Sequence, residues 1–211
     1  MQHAPSPVLS KIISTLQRHS PDLADICPLL VSLSGLTELA AKNPPSHWYD
    51  HTNLTQTLNL AAHDMLTLPR HEIPEDHKNP VTARLATREA IRQASLLFLT
   101  APVNYLAGNS GFNTNHRRRL PKLLGSHALD WSGLEEIELW VLVIGALTEI
   151  DEERAWIIGR IDHIMQMSGL NWQGVLHVLW QIAWTDGVSC YEVDRLGAEL
   201  DQMRSSSFYV I

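Results

Sequence analysis

The sequence predicts an all-α fold, an irregular multi-helix bundle of about eight or nine helices. Apolar residues recur at three- and four-residue spacing along most of the chain, and no segment shows the alternating pattern of a strand. Short breaks rich in proline, glycine and asparagine separate these segments. The stretch 134–147 is apolar on nearly every face, which is typical of a helix at the centre of a fold.

Four helices are predicted in the first half of the chain: residues 8–18, 21–42, 53–68 and 79–105. Proline-containing breaks lie between them, at 20–22, at 43–45 and in the polar loop 69–80. Pro28 stands early in the second helix. Asn53 and Asn79 are the expected N-caps of the third and fourth helices.

Five further helices are predicted after the loop 108–115: residues 117–129, 134–147, 151–168, 171–184 and 191–203. Pro121 lies in the first turn of the helix that begins at 117. Asp151 is expected to cap the helix that follows the central one, and Gly169 to close it. Asn171 is expected to open the next helix.

The totals favour an intracellular protein of one domain or two small ones. The chain has 211 residues, of which 45% are hydrophobic, and two cysteines, Cys27 and Cys190, which we expect to be ordinary core thiols. Its start, MQHAPSPVLSKIIS, has none of the features of a secretory signal. The apolar run 139–147 is too short to span a membrane, which takes about 20 residues, and acidic residues flank it.

The net charge of −7 weighs against nucleic-acid binding, because that affinity rests largely on cationic contacts with phosphates. Two local clusters of basic residues stand out. Arg84, Arg88 and Arg92 lie four residues apart, on one face of the helix 79–105, and His116-Arg117-Arg118-Arg119 lies close to Lys122. We expect a solvated or salt-bridged face at both, and keep a nucleic-acid or nuclear-import patch as the alternative.

A metal-dependent phosphohydrolase is the enzyme class that the eleven histidines raise. Its His, His-Asp, Asp pattern would use His51, the pair His63-Asp64 and a later aspartate such as Asp130. The spacing argues against this class, because only twelve positions separate the two histidines and a new helix begins between them. No nucleophile elbow or phosphate-binding loop is present either, so we predict no enzyme, no catalytic residue, no metal and no cofactor.

Three stretches carry a family resemblance: NLAAHDMLTLP (59–69), REAIRQASLLFLTAPV (88–103), and LWVLVIGALTEIDEERAWIIGRI (139–161) together with NWQGVLHVLWQIAWTDGVSC (171–190). They resemble the C-terminal half of the fungal-specific transcription factor regulatory domain, the helical region of zinc binuclear-cluster transcription factors. The residues at the family's landmark places are Trp140, Gly145, Ala146, Glu153, Arg154, Trp156, Trp172, Leu179 and Trp184. The match covers residues 53–211 best, and the N-terminal helical segment 1–52 only loosely.

The resemblance implies a nuclear protein that modulates transcription through other transcription factors, coregulators or a second copy of itself, with a small-molecule effector as a further possibility. The family's DNA reader begins Cys-x2-Cys-x6-Cys, and the two cysteines of this chain cannot supply it. We therefore predict no specific DNA binding and no membrane partner. An unrelated helical scaffold is the alternative. Within the resemblance, the chain is either a fragment or shortened paralogue of a longer regulator, or a regulator that acts without touching DNA.

Specific packing roles follow for four of the landmark residues. Trp140 and Trp156 are predicted to be core residues. Gly145 costs an apolar helix about 1 kcal/mol against alanine, which predicts the close approach of a neighbouring helix. Arg154 is expected to pair with an acidic neighbour such as Glu149, or with the carbonyls that end the preceding helix. In the segment 171–184 the predicted core face is Trp172, Leu176, Leu179 and Ala183.

Overall fold

The computed structural model of the protein describes residues 4–19, 21–42, 52–69, 73, 79–107, 119–126, 128–148, 152–185 and 190–207. In this part of the chain it contains nine α-helices, one 3-10 helix and no strand, which confirms the predicted fold class. The helices are α1 Pro7–His19, α2 Cys27–Ala41, α3 Thr52–Thr67, α4 Pro80–Ala107, α5 Arg119–Ser126, α6 Glu135–Thr148, α7 Glu152–Ser168, α8 Trp172–Ile182 and α9 Cys190–Ser207. The 3-10 helix, Pro21–Ile26, lies between α1 and α2.

Local capping chemistry sets three of the predicted helix ends. The Asn79 side chain accepts a hydrogen bond from the Val81 N–H at 2.9 Å, at the start of α4. The Asn171 side chain does the same for Gly174 at 2.8 Å, at the start of α8. Gly169 ends α7 in the left-handed region, with φ of +67°, where glycine carries no steric cost.

The predicted second helix is two elements. Pro28 lies in the first turn of α2. A proline is tolerated there because the first-turn N–H groups need no partner within the helix, whereas further along a helix its ring would clash with the carbonyl of the preceding turn. The chain before it therefore forms the tighter 3-10 helix instead. Similarly, α3 begins at Thr52, so Asn53 lies inside its first turn rather than before it.

The helix predicted at 117–129 is shorter than expected, because α5 ends at Ser126. The chain beyond it is tied to Thr87, in the first third of α4. The Thr87 hydroxyl accepts from the Asp130 N–H at 2.9 Å and lies 3.1 Å from the Asp130 carbonyl, to which it donates. Residues 117 and 118, the predicted N-cap Asp151 and the predicted Arg154 partner Glu149 lie outside the described residues.

The central helix, α6, is the centre of the core as predicted. It contacts α1, α4, α7, α8 and α9. Trp140 is fully buried in it, with its ring centroid 5.9 Å from that of Phe98 on α4. The Trp140 Nε1 donates a hydrogen bond of 2.8 Å to the Ala183 carbonyl, which follows α8. A continuous apolar cluster extends from Leu9 of α1 to Leu200 of α9.

Two glycines mark close helix contacts of different kinds. A Cβ on Gly145 would lie 3.5 Å from Ile157 of α7, an ordinary van der Waals distance, so the predicted approach exists but does not require glycine. A Cβ on Gly197 of α9 would lie 2.6 Å from the ring of Trp172, which is too close. The second contact, which the sequence did not indicate, is the one that needs a glycine.

The buried face of α8 differs in part from the prediction. Trp172, Val175, Leu179 and Ile182 are its buried residues. Leu176 is only partly buried. The buried residues of α8 follow one another at spacings of three or four, and their row passes through Val175 instead of Leu176. Ala183 is buried as predicted, although it follows the helix instead of belonging to it.

The start of the described chain packs against residues far along the sequence. The Ser6 hydroxyl donates to the carbonyl of Gln181 on α8. Lys11 of α1 donates to the Glu136 carboxylate of α6 at 2.5 Å, and this hydrogen bond is the main cause of a raised Lys11 pKa. Helix α1 therefore lies against α6 and α8.

One stretch, Leu23–Ala41, is long and apolar enough to cross a membrane by length and composition. A little over half of it, 56%, is buried inside the bundle, and the core helix of a soluble protein satisfies the same two conditions. The stretch includes the end of the 3-10 helix and all of α2, and its buried residues belong to the apolar core.

Candidate interaction surface

The predicted arginine stripe of α4 is buried for two of its three members. Arg88 and Arg92 are each 1% exposed. Arg88 Nε donates to Asp25 at 2.9 Å, and Arg88 Nη1 donates to the Pro69 carbonyl at 3.0 Å. The alternative of a nucleic-acid patch at this stripe is not supported for these two arginines, because guanidinium groups without solvent access cannot contact phosphates. The expected salt-bridged arrangement is the one that the structure shows for Arg88 and Arg92.

Arg92 is held by its own helix. Its Nε and Nη2 donate to the two carboxylate oxygens of Glu89 at 2.7 and 2.6 Å. Burial alone would raise the pKa of Glu89, but the hydrogen bonds from Arg92 and Gln93 outweigh it and lower the pKa below its usual value. The Arg92 Nη1 is buried without a hydrogen-bond partner. The four charges of this cluster, those of Arg88, Arg92, Asp25 and Glu89, cancel.

Cys27, beside the same cluster, is a buried free thiol. Burial, and secondarily the charge of Asp25, raises its pKa to about 11. The thiol is therefore un-ionised at neutral pH, as expected of a core cysteine. The side chain of Cys190 lies outside the described residues.

The second basic cluster is only partly described. Arg119 and Lys122 are exposed on α5, whereas 116–118 lie outside the described residues. The exposed part alone gives two cationic side chains in a chain of net charge −7.

The residues of the phosphohydrolase alternative do not form a described cluster. His63 and Asp64 are neighbours on α3, 3.7 Å apart, and both point into solvent. Asp130 is tied to α4 through its backbone, and His51 lies outside the described residues. Within the described part of the chain, no group of three or more histidine, cysteine, aspartate or glutamate side chains is placed to hold a metal ion.

The landmark tryptophans have different environments. Trp140, Trp172 and Trp184 are buried, as core aromatic residues should be. Trp156 is 50% exposed, so its prediction as a core residue is wrong. The physical reason is the rotation of α7, in which Ile157, Ile158 and Ile161 take the core positions and the neighbouring residue faces outward.

Ion pairs on both sides fix the rotation of α7. Arg160 donates to the buried Glu138 of α6 at 2.9 Å, and Asp162 accepts from Arg204 of α9 at 2.9 Å. Burial raises the pKa of Glu138 above its usual value despite the opposing effect of Arg160. The α7 helix is therefore linked to α6 and α9 by charged groups that are at least partly withdrawn from solvent.

Arg154 adds a third link at the start of α7. Its Nε donates to the Ala146 carbonyl near the end of α6 at 3.1 Å, which confirms the predicted bond to the preceding helix. Its Nη1 donates to Glu199 of α9 at 2.5 Å, a partner that no local sequence rule indicates. The landmark arginine thus joins three helices.

The outward face of α7 carries four residues in a line, which we call the α7 stripe: Trp156, Arg160, His163 and Met167. Their spacing of four, three and four residues is that of the contact seam between paired helices. Met167 is 77% exposed, the highest value among the large exposed hydrophobic residues described. Gly159 borders the stripe, and a Cβ added there would meet no atom within 4 Å.

Other exposed apolar side chains do not form such a line. Leu60 and Leu66 on α3 are six residues apart and point about 120° away from each other around the helix. Trp180 is exposed singly on α8. Isolated apolar residues of this kind are normal on protein surfaces, whereas an aromatic and a thioether in register on one helix suggest a contact surface.

The α7 stripe combines side chains that are suited to a contact surface. It offers an indole ring, a flexible thioether and a guanidinium already paired with Glu138, and these groups suit contact with an apolar helix. Sequence reasoning missed His163 and Met167, because their spacing with Trp156 is visible in the sequence but does not show that this face of the helix points outward. Comparisons of the chain with family models, with curated proteins and with solved structures find no match.

Proposed function

We propose that this chain is a helical interaction module that modulates transcription in the nucleus through contacts with transcription factors or coregulators. The observation that carries the proposal is the α7 stripe, in which an exposed indole and an exposed thioether lie in line on a helix that ion pairs hold in place. The resemblance to the fungal-specific transcription factor regulatory domain supplies the biological setting. Trp156 and Arg160 of the stripe lie within the segment 139–161 that carries that resemblance, and His163 and Met167 follow it directly.

The electrostatics favour protein partners over DNA. Two of the three α4 arginines are withdrawn from solvent and paired, and the chain carries a net charge of −7. Specific recognition also needs an element that presents side chains to base edges, and in the resembling family that element is the zinc module. We therefore propose that any influence on transcription passes through another protein that binds the DNA.

A pull-down from a fungal nuclear extract tests the proposal. The bait is the full chain, compared with Trp156→Lys, and with Leu60→Lys as a matched control that places the same charge on an exposed apolar site of α3. The expected result is that transcription-related proteins, identified by mass spectrometry, are recovered with the wild type and the control and are lost with Trp156→Lys. Recovery of no such protein, or equal recovery by all three baits, would contradict the proposal.

Fluorescence anisotropy with genomic DNA fragments at near-physiological salt completes the test. We expect no preference for any sequence over a scrambled one, because the described structure offers only weak, salt-sensitive attraction. Sub-micromolar binding that favours one sequence would show that the chain reads DNA by itself, and the protein-contact mechanism would then be wrong.

A further inference from the structure

We infer that the α7 stripe is an isologous contact, covered by the α7 stripe of a second copy of this chain in antiparallel orientation. This inference rests on the proposed function, since it names a partner for the same surface. Its starting point is the spacing of the four residues along the helix. The spacing is the same in both directions, so two antiparallel copies can align residue by residue.

The register follows from the spacing. A twofold axis midway between Ile161 and Asp162 places Trp156 of one copy opposite Met167 of the second copy, and the same pair forms again at the other end. The two inner positions, Arg160 and His163, face each other in the same way. A thioether against an indole is a favourable contact, worth more than the buried area alone, and the symmetric arrangement makes it twice.

The surface beside the stripe permits two helices to approach. Gly159 has no side chain, and the space around its Cα on that side is open. A partner helix can therefore lie close to the α7 backbone, at the shallow crossing angle that seam packing favours. A larger residue at this position would hold the second helix away.

The charges near the stripe suit a second copy. Two molecules of net charge −7 repel each other, so self-association needs a face on which negative charge is compensated. The Asp162 carboxylate of α7 and the Glu138 carboxylate packed against it are buried, and they are paired with Arg204 and Arg160. The Gln166 amide is neutral and donates to Asp162 at 2.6 Å. The α7 face thus adds little to the repulsion between copies.

The size of the contact sets the expected strength. One helix pair that buries an indole and a thioether from each copy covers roughly 400–500 Å² per molecule, whereas stable interfaces cover about 800 Å². We therefore expect a weak dimer with a dissociation constant of roughly 100 µM. Such a dimer forms at high local concentration and exchanges quickly.

Sedimentation velocity over a range of concentrations up to about 500 µM tests the inference. The wild type should shift from monomer toward dimer, whereas Trp156→Lys and Met167→Glu should each weaken self-association by at least about tenfold. Both positions are half-exposed or more, so circular dichroism should show unchanged helicity. Leu60→Lys on α3 is the matched control and should behave as the wild type.

Mixing the two variants tests the antiparallel register. A mixed pair places the introduced lysine of one variant opposite the introduced glutamate of the other at one end. At the other end it restores the tryptophan and methionine contact, so the mixture should associate about as well as the wild type. A wild type that stays monomeric throughout, or a mixture that associates no better than either variant alone, would overturn the inference. The nuclear-extract pull-down is independent of this result, because a monomer that still recovers transcription-related proteins through Trp156 leaves the proposed function intact.

Discussion

The Trp140 indole of α6 and the Ala183 carbonyl beyond α8 are joined by a 2.8 Å hydrogen bond in the core. The donor belongs to a fully buried side chain, and the acceptor is a buried backbone group at the end of a helix, where carbonyls lack partners within the helix. This one bond therefore satisfies two buried polar groups, and it fixes the end of α8 against the central helix.

Trp140→Ala is expected to reduce the free energy of unfolding by about 3–5 kcal/mol, because it leaves a cavity and an unpaired carbonyl. Trp156→Ala and His63→Ala should each cost less than about 1 kcal/mol, because both side chains are largely exposed. Urea denaturation followed by circular dichroism measures all three. If His63→Ala proved more costly than Trp140→Ala, the metal-site alternative would regain support.

Two glutamate-to-glutamine substitutions should change the free energy of unfolding by unequal amounts at pH 7. Glu89→Gln removes the only charged partner of Arg92 described and leaves a 1% exposed guanidinium unpaired, so we expect a loss of about 3 kcal/mol. Glu138→Gln removes an ionised carboxylate whose burial is unfavourable, and its partner Arg160 still reaches solvent. The free energy of unfolding should therefore stay unchanged or rise by up to about 1 kcal/mol. Equal losses in urea denaturation would contradict this difference.

The same two variants should respond oppositely to pH. Glu89 has a lowered pKa, so its stabilising contribution is present above the ordinary value of 4.5 and is lost as the pH falls through the lowered pKa. The deficit of Glu89→Gln should therefore shrink in acid. Glu138 has a raised pKa, so its contribution is complete below 4.5 and is lost as the pH rises through the raised pKa. The benefit of Glu138→Gln should grow between pH 4.5 and 7, which denaturation at several pH values will show.

Cys27 should be nearly inert in the native protein. Raising a thiol pKa from 9.0 to about 11 lowers the thiolate fraction at pH 8 by about 100-fold, and burial restricts access further. In a Cys190→Ser background, the reaction of Cys27 with Ellman's reagent should be at least about 100-fold slower in buffer than in urea. A native rate close to the denatured rate would show that the thiol is neither buried nor suppressed.

Two glycine-to-alanine substitutions should change the stability of the protein in opposite directions. Gly197→Ala forces a methyl group into the Trp172 ring and should cost about 1–3 kcal/mol. Gly125→Ala on α5 meets no atom within 4 Å and should gain up to about 1 kcal/mol from helix propensity alone. Thermal unfolding of both variants separates the steric effect from the propensity effect, because both residues lie within helices.

Local sequence rules predicted the helices well where capping residues and apolar periodicity agree. Asn79, Asn171 and Gly169 act at the helix ends where they were expected, because each depends on its immediate neighbours. The rules fail at Pro28, because the pattern predicts one helix over 21–42, whereas the proline lies in the first turn of a second helix. They also fail after Ser126, where a tertiary bond between Thr87 and Asp130 sets the chain direction.

The candidate surface was less predictable, because it depends on the rotation of helices about their own axes. An indole favours the core by hydrophobicity, and nothing near Trp156 in sequence shows that three isoleucines beside it take the buried positions together. The arginines of α4 illustrate the converse. Their periodic spacing indicates a charged face, but Asp25 lies 63 residues before Arg88, and pairing over that separation is fixed by the fold.

The packing of α1 against α6 and α8 also limits when α1 can complete its folding during synthesis. Ser6 and Lys11 leave the ribosome early, whereas their partners Gln181 and Glu136 are made 175 and 125 residues later. Until then the apolar side of α1, which carries Leu9, Ile12 and Leu16, has no complete binding place. A nascent chain halted before α8 is therefore expected to leave part of this apolar side exposed to chaperones and proteases.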